Sequence, residues 1–212
     1  MKSFVSTTLT TFTFFFLTSL FLQCSKDVVN AEEWFENHKE DRVINLSNKE
    51  VGVLPISIGN LKKVEELTLQ YDSLKELPKE IGNLKQLKIL NLFGNPIKTL
   101  PEEIGNLENL EILLLGRTEL NEIPAVIGRL QKLKTLALDE TKVQLTEADV
   151  EVIASLPNLE ILDLTLMREY KTLPKNLSKL NSLKHLVLQK TLLEKSDVVR
   201  LRDELPKVRV KL

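Results

Sequence analysis

One cysteine, two histidines and one tryptophan are all that 212 residues offer of the side chains that most often build redox, metal and cofactor sites. With Cys24 alone, no intramolecular disulfide and no Cys-rich metal site is possible. His38 and His185 lie far apart and neither has a second ligand at metal spacing. Nucleophile motifs, phosphate loops and Gly-x-Gly patterns are absent. The acidic pairs Glu65-Glu66 and Glu102-Glu103 do not make a glycosidase pair, because adjacent residues on a strand project to opposite sides. Neither sign of charge is in excess: 29 basic and 30 acidic residues are interleaved, so no overall field recruits nucleic acid or an anionic membrane. No catalytic residue, metal or cofactor is expected, and the chain reads as a non-enzyme. Aromatics make up 5%, few for a globular core, so any core must be aliphatic.

Charge is also missing from residues 4–22, which follow Lys2 and are densest in apolar side chains from Phe12 to Leu22. This is the layout of a secretory signal. The run stops before Gln23-Cys24-Ser25, and Leu20-Phe21-Leu22-Gln23-Cys24 resembles the signal of bacterial lipoproteins, in a relaxed form similar to that of spirochaetes, with Gln23 in place of a small residue and Phe21 in place of leucine. The resemblance implies a signal peptide over 1–23, a diacylglycerol on the Cys24 thiol and a tether over 24–30. The protein would then be exported and held by lipid at the cell envelope, at the outer membrane. Two alternatives stay open: simple secretion, and an uncleaved spanning helix, which the many Thr and Ser weaken.

From there the chain is periodic. Segments beginning at Val64, Leu87 and Leu110 each run 23 residues, and the frame extends back to Asp41 and on to longer units from Leu133, Leu159 and Leu183. Positions one, four and six are aliphatic in every unit except at Asp41: Ile44/Leu46, Val64/Leu67/Leu69, Leu87/Leu90/Leu92, Leu110/Leu113/Leu115, Leu133/Leu136/Leu138, Leu159/Leu162/Leu164 and Leu183/Leu186/Leu188. Alternation through four and six is the period of a strand. One short strand per unit cannot bury its apolar side alone, whereas stacked copies form a parallel sheet over a continuous core.

The pattern LxxLxLxx[N/T/D]xLxxLPxxIGNL identifies residues 41–212 as similar to leucine-rich repeats, most closely to the plant intracellular Ras-group type that bacteria also carry. The resemblance implies an α/β solenoid, an open horseshoe with a parallel concave sheet and short 3-10 or helical turns on the convex side. Extracellular animal and plant repeats of this kind usually seal their ends with paired cysteines, so this chain fits a bacterial envelope better. Pro55, Pro78, Pro101, Pro124 and Pro174 share one position, where a fixed φ suits chain leaving the sheet. Gly59, Gly82, Gly105 and Gly128 share another, read as a sharp turn-back. Position nine, usually Asn, holds Lys49, Asp72, Asn95, Thr118, Thr141, Thr191 and, in the sixth unit, Met167 or Arg168. Residues 31–40, with Trp34 and Phe35, read as a cap helix. A capping box at Thr146 predicts a helix with Ala148, Val152, Ile153 and Leu156 inward, and a second helix is expected from Ser196 with Val198, Leu201 and Leu205 inward. Repeats fill 41–207, and 208–212 form a closing strand with Val208, Val210 and Leu212 over the last core layer.

In this frame positions three, five, seven and eight face the concave side. Ile89, Phe93, Ile112 and Leu114 then cluster in units three and four, rimmed by Tyr71, Arg117, Asp139 and Glu140. An apolar, aromatic-containing patch with charged neighbours suits recognition. The expected function is a binding module for a protein or other macromolecule at the bacterial envelope, in the manner of a host-interaction adhesin. The alternative is a structural envelope component that self-associates through the same face.

Overall fold

The computed structural model describes residues 30–167 and 172–212. The signal, Cys24, the tether apart from Asn30, and Arg168 lie outside the described residues. Among those described, no helix is long and apolar enough to cross a membrane.

Eight three-residue strands form one parallel sheet in chain order: β1 (Val43–Asn45), β2 (Glu66–Thr68), β3 (Ile89–Asn91), β4 (Ile112–Leu114), β5 (Thr135–Ala137), β6 (Ile161–Asp163), β7 (His185–Val187) and β8 (Arg209–Lys211). The pairing follows the sequence frame without slippage, position four always opposite position four: Leu67 with Leu90, Leu90 with Leu113, Leu113 with Leu136. Leu67, Leu90, Leu113, Leu136 and Leu162 are fully buried, and so are their position-six companions Leu69, Leu92, Leu115, Leu138 and Leu164. A one-residue slip would send all of them to solvent, so core burial and register enforce each other.

On the convex side Ile56–Asn60, Lys79–Asn83, Glu102–Asn106 and Ala125–Arg129 are 3-10 turns, each following its proline, whose φ is already set for leaving the sheet. The glycines inside these turns act differently from the sharp turn-back expected of them. The only glycines with positive φ are Gly52 and Gly94 among the described residues. What Gly82 provides is closeness: a Cβ there would stand 2.4 Å from the Glu103 carbonyl oxygen of the next unit. Glycine therefore lets neighbouring 3-10 turns stack.

Helix α1 (Ala31–Asn37) closes the first layer, with Asn30 as N-cap, Phe35 buried and Trp34 partly buried. It is shorter than the expected 31–40. The chain leaves it at His38, whose ring stacks on Trp34 at 3.8 Å and bonds the Trp34 carbonyl. Helix α2 (Glu147–Ala154) has the expected capping box of Thr146 and Asp149. Of the inward face expected, Ile153 and Leu156 are buried and Val152 packs partly against the core, but Ala148 is exposed, and Asp149 and Val150 are buried instead. The cause is Asp149, whose carboxylate caps the helix and also accepts the Ile123 N–H of the preceding unit at 3.1 Å. In α3 (Lys195–Glu204) Asp197 likewise accepts the Leu173 N–H of the preceding unit at 3.2 Å but does not cap its helix, and the N-cap is Glu194 in place of the expected Ser196. At the far end Val208 and Val210 pack partly against the core, but Leu212 is half exposed and does not complete the last layer.

Position nine is the inner hydrogen-bond column. Asn95 Nδ2 donates to the Leu69 and Leu92 carbonyls, and its Oδ1 accepts Asp72 and Leu74 N–H. Thr118 and Thr141 manage only the carbonyl bond. Met167, 2% exposed, fills this position in the sixth unit.

Candidate functional site: the concave sheet face

Side chains at positions three and five alternate with the buried leucines, and the pleat sends them to the concave face. Ile89, Phe93, Ile112 and Leu114 are all half-buried there, packed side by side but open to solvent. Asn91 lies among them, its Oδ1 accepting the Phe93 N–H at 3.1 Å. Asn45 and Asp163 do the same for Ser47 and Thr165, so a polar residue at position five fixes the turn that aims position seven.

Position eight decides the shape of the rim. Asn48, Tyr71, Arg117, Glu140, Leu166 and Lys190 all adopt positive φ, between 52° and 62°, as does Gly94. A left-handed residue reverses the chain in one step and throws its side chain back over the sheet. Tyr71 accordingly lies across Gly94, where a Cβ would stand 2.4 Å from its ring, and meets Phe93 edge-on at 5.4 Å. Arg117 closes the group: Nη1 donates to the Tyr71 hydroxyl at 3.2 Å, Nε faces Glu140 at 3.3 Å, and the guanidinium carbon sits 6.0 Å from the Phe93 ring centre. The Tyr71 hydroxyl and then the Glu140 carboxylate favour its charged form. Five of the expected residues, Tyr71, Phe93, Arg117, Glu140 and Asp139, thus rim the aliphatic floor of Ile89, Ile112 and Leu114. Asp139 is half-buried beside Gly116, and burial, then the neighbouring Asp163 carboxylate, push its pKa up.

Two features were not anticipated from the sequence. Position two alternates in charge along the arc through Arg42, Glu65, Lys88, Glu111, Lys134, Glu160 and Lys184. Glu65 bridges Arg42 and Lys88 at 2.6 Å each, Lys134 meets Glu111, and Lys184 meets Glu160. The alternation is legible in the sequence, as opposite charges at position two of successive units. The second is an open recess of about 670 Å³ at the other end of the concave face, lined by Ile161, His185, Val187, Arg209, Val210 and Lys211. It sits on the closing strand expected over 208–212, which pairs as β8 with β7. No group of three or more His, Cys, Asp or Glu that could hold a metal occurs among the described residues.

Comparison with known proteins agrees with this architecture. No curated protein matches the chain. Among solved structures, a leucine-rich-repeat protein of Leptospira interrogans is similar at 34% identity and a TM-score of 0.67, over 76% of this chain and 40% of that one. The plant peptide hormone receptor RGFR1 in complex with RGF2 is similar at 26% identity and 0.65, over 87% of this chain and 30% of the receptor. The ectodomain of the Arabidopsis thaliana receptor kinase GASSHO1/SCHENGEN3, in complex with CASPARIAN STRIP INTEGRITY FACTOR 2, is similar at 33% identity and 0.54, over 66% of this chain and 17% of that one. The chain therefore spans well under two thirds of each of these proteins. Residues 79–209 match the family described as leucine-rich repeat region, and the chain belongs to that family, whose fold is commonly a protein-interaction module.

Proposed function

We propose that the protein is a non-catalytic binding module that captures a protein partner on its concave face, with Phe93, Tyr71, Ile112 and Leu114 as apolar anchors and Arg117, Asp139 and Glu140 as the polar rim. The observation that carries this reading is the Tyr71–Phe93–Arg117 group, in which side chains from three successive units converge on one half-buried aliphatic floor. Aromatic and arginine anchors ringed by charge are the composition of interface hot spots. Support also comes from the two plant receptors, whose structures contain bound RGF2 and CASPARIAN STRIP INTEGRITY FACTOR 2. In this reading Cys24 carries a lipid that holds the domain at a bacterial outer membrane, where it serves as an adhesin toward a host or envelope macromolecule. The similarity to the Leptospira protein is in keeping with it.

The test is the double substitution Phe93→Ser with Leu114→Ser. Both side chains lie off the core, so melting should move little, as surface changes usually lie within about 0.5 kcal/mol. Capture of partner from envelope or host extracts should fall at least tenfold against Glu102→Ser with Glu103→Ser on the convex side. A folded double mutant that captures the same partner undiminished would sink the reading. Loss of concentration-dependent light scattering in the double mutant, with no partner found, would favour self-association through this face. Intact mass of the membrane fraction tests the anchor: lipid on a chain beginning at Cys24 is expected, and an unmodified soluble chain would refute it.

A further inference from the structure

The two inward columns of the sheet can be followed along the arc. Position three runs Val43, Glu66, Ile89, Ile112, Thr135, Ile161, His185, Arg209, and position five runs Asn45, Thr68, Asn91, Leu114, Ala137, Asp163, Val187, Lys211. Their basic side chains, His185, Arg209 and Lys211, are adjacent, and all three line the recess of about 670 Å³ at the β7–β8 end. The aliphatic side chains on the concave floor of the recess are Ile161 and Val187, while Val210, between Arg209 and Lys211 on β8, turns its side chain to the core.

The cations here differ from those elsewhere on the sheet. Arg42, Lys88, Lys134, Lys184 and Arg117 each face a carboxylate within 3.3 Å. Arg209 and Lys211 are exposed and enter no ion pair among the described residues. Two unneutralised cations on alternate residues of one strand, beside an apolar floor, form a local positive field at this end of the concave face in a chain of net charge −1. We propose that this recess is a second binding site, separate from the aromatic platform, and that it takes an extended acidic polypeptide segment.

Geometry selects the ligand class. Arg209 and Lys211 are alternate residues of one strand, so their side chains leave the same face roughly 7 Å apart. Alternate carboxylates of an extended peptide have that same spacing and can meet both cations at once. The aliphatic stems of those acidic residues, and the peptide between them, then lie over Ile161 and Val187. A nucleic acid would match the charge but not the floor, because base recognition without sequence uses aromatic rings as stacking platforms. Opposite charges directly across neighbouring extended segments are favourable, and desolvation by the floor strengthens them.

The probe is a fluorescein-labelled octapeptide alternating Glu and Val, titrated by anisotropy against the whole protein at 50 mM and 500 mM salt. Saturable binding is expected, weakening at least fivefold at the higher salt. Arg209→Glu with Lys211→Glu should lower affinity more than tenfold with melting unchanged, and Arg209→Gln with Lys211→Gln serves if the reversal disturbs folding. Phe93→Ser with Leu114→Ser should leave the affinity as it is, which separates this site from the platform. Absence of saturable binding would overturn the proposal, as would full affinity in the charge variants. Equal binding of a Lys–Val octapeptide, or of a single-stranded oligonucleotide of matched charge, would overturn the assignment to an acidic peptide.

Discussion

The Oδ1 atom of Asp72 accepts the backbone N–H of Lys49 at 2.8 Å, one unit back along the arc, while its Oδ2 is buried without a partner. One unit forward, Asn95 makes the equivalent bonds with an amide, whose Nδ2 donates to two carbonyls. The corresponding carbonyls for Asp72 are those of Leu46 and Leu69, so an ionised Oδ2 presents an acceptor where the repeat calls for a donor. Burial, opposed by the backbone N–H groups of Lys49, Glu50 and Val51, pushes the Asp72 pKa above its ordinary value.

For a carboxyl raised in the folded state, stability is greatest below the unfolded value of about 3.9 and is lost as pH rises through the folded one. Asp72→Asn should therefore stabilise the protein at pH 7 by about 1 to 3 kcal/mol, the cost of an unsatisfied buried polar group. The gain should shrink as pH falls and wild-type Asp72 takes up the proton that lets it mimic asparagine. Urea denaturation of both proteins from pH 4 to 8 measures it, and a pH-independent difference would count against this account.

Stacking of the 3-10 turns predicts unequal costs for one substitution at equivalent positions. Gly82→Ala meets the backbone of Glu103 at 2.4 Å, which cannot move without its whole turn, whereas Gly128→Ala meets chiefly the Ser155 hydroxyl, with the next atom at 3.6 Å. Gly82→Ala should cost about 1 to 3 kcal/mol, as overpacking does, and Gly128→Ala should be near neutral once the hydroxyl rotates. Melting temperatures of the pair decide this, and equal effects would mean that closeness is not what glycine provides.

The left-handed residues at position eight carry strain that side chains pay in most units. Lys190, at φ 59°, is exposed, and its ammonium enters no ion pair among the described residues. Lys190→Gly should stabilise by roughly 0.5 to 1 kcal/mol, because the left-handed penalty of a side chain exceeds the added chain entropy of glycine. A destabilised variant in chemical denaturation would show that the Lys190 side chain makes contacts that offset the strain.

The recurring leucines determined the fold without help from tertiary contacts. Positions four and six, read as a strand alternation with a 23-residue period, already implied a parallel sheet in register, since a one-residue shift would expose Leu90, Leu113 and Leu136. The same register put Ile89, Phe93, Ile112 and Leu114 on the concave face. Periodicity reports which side of a strand a residue occupies, so everything that depends only on that side was legible.

What the tertiary structure decided is how the units touch. The IG glycines look like turn residues in one unit and prove to be contact residues only when the next unit is in place, its backbone carbonyl at Gly82 and its side chains at Gly105 and Gly128. Asp149 looks like a simple helix cap until the N–H of Ile123 is brought to it, as that of Leu173 is to Asp197, and with Asp149 held there Val150, and not Ala148, is buried. Tyr71 and Arg117 are 46 residues apart, and a left-handed turn in each unit is needed before their side chains meet over Phe93. A linear pattern encodes each unit's own burial, but the distances between units are set by packing one coil on another, and those distances exist only in the assembled solenoid.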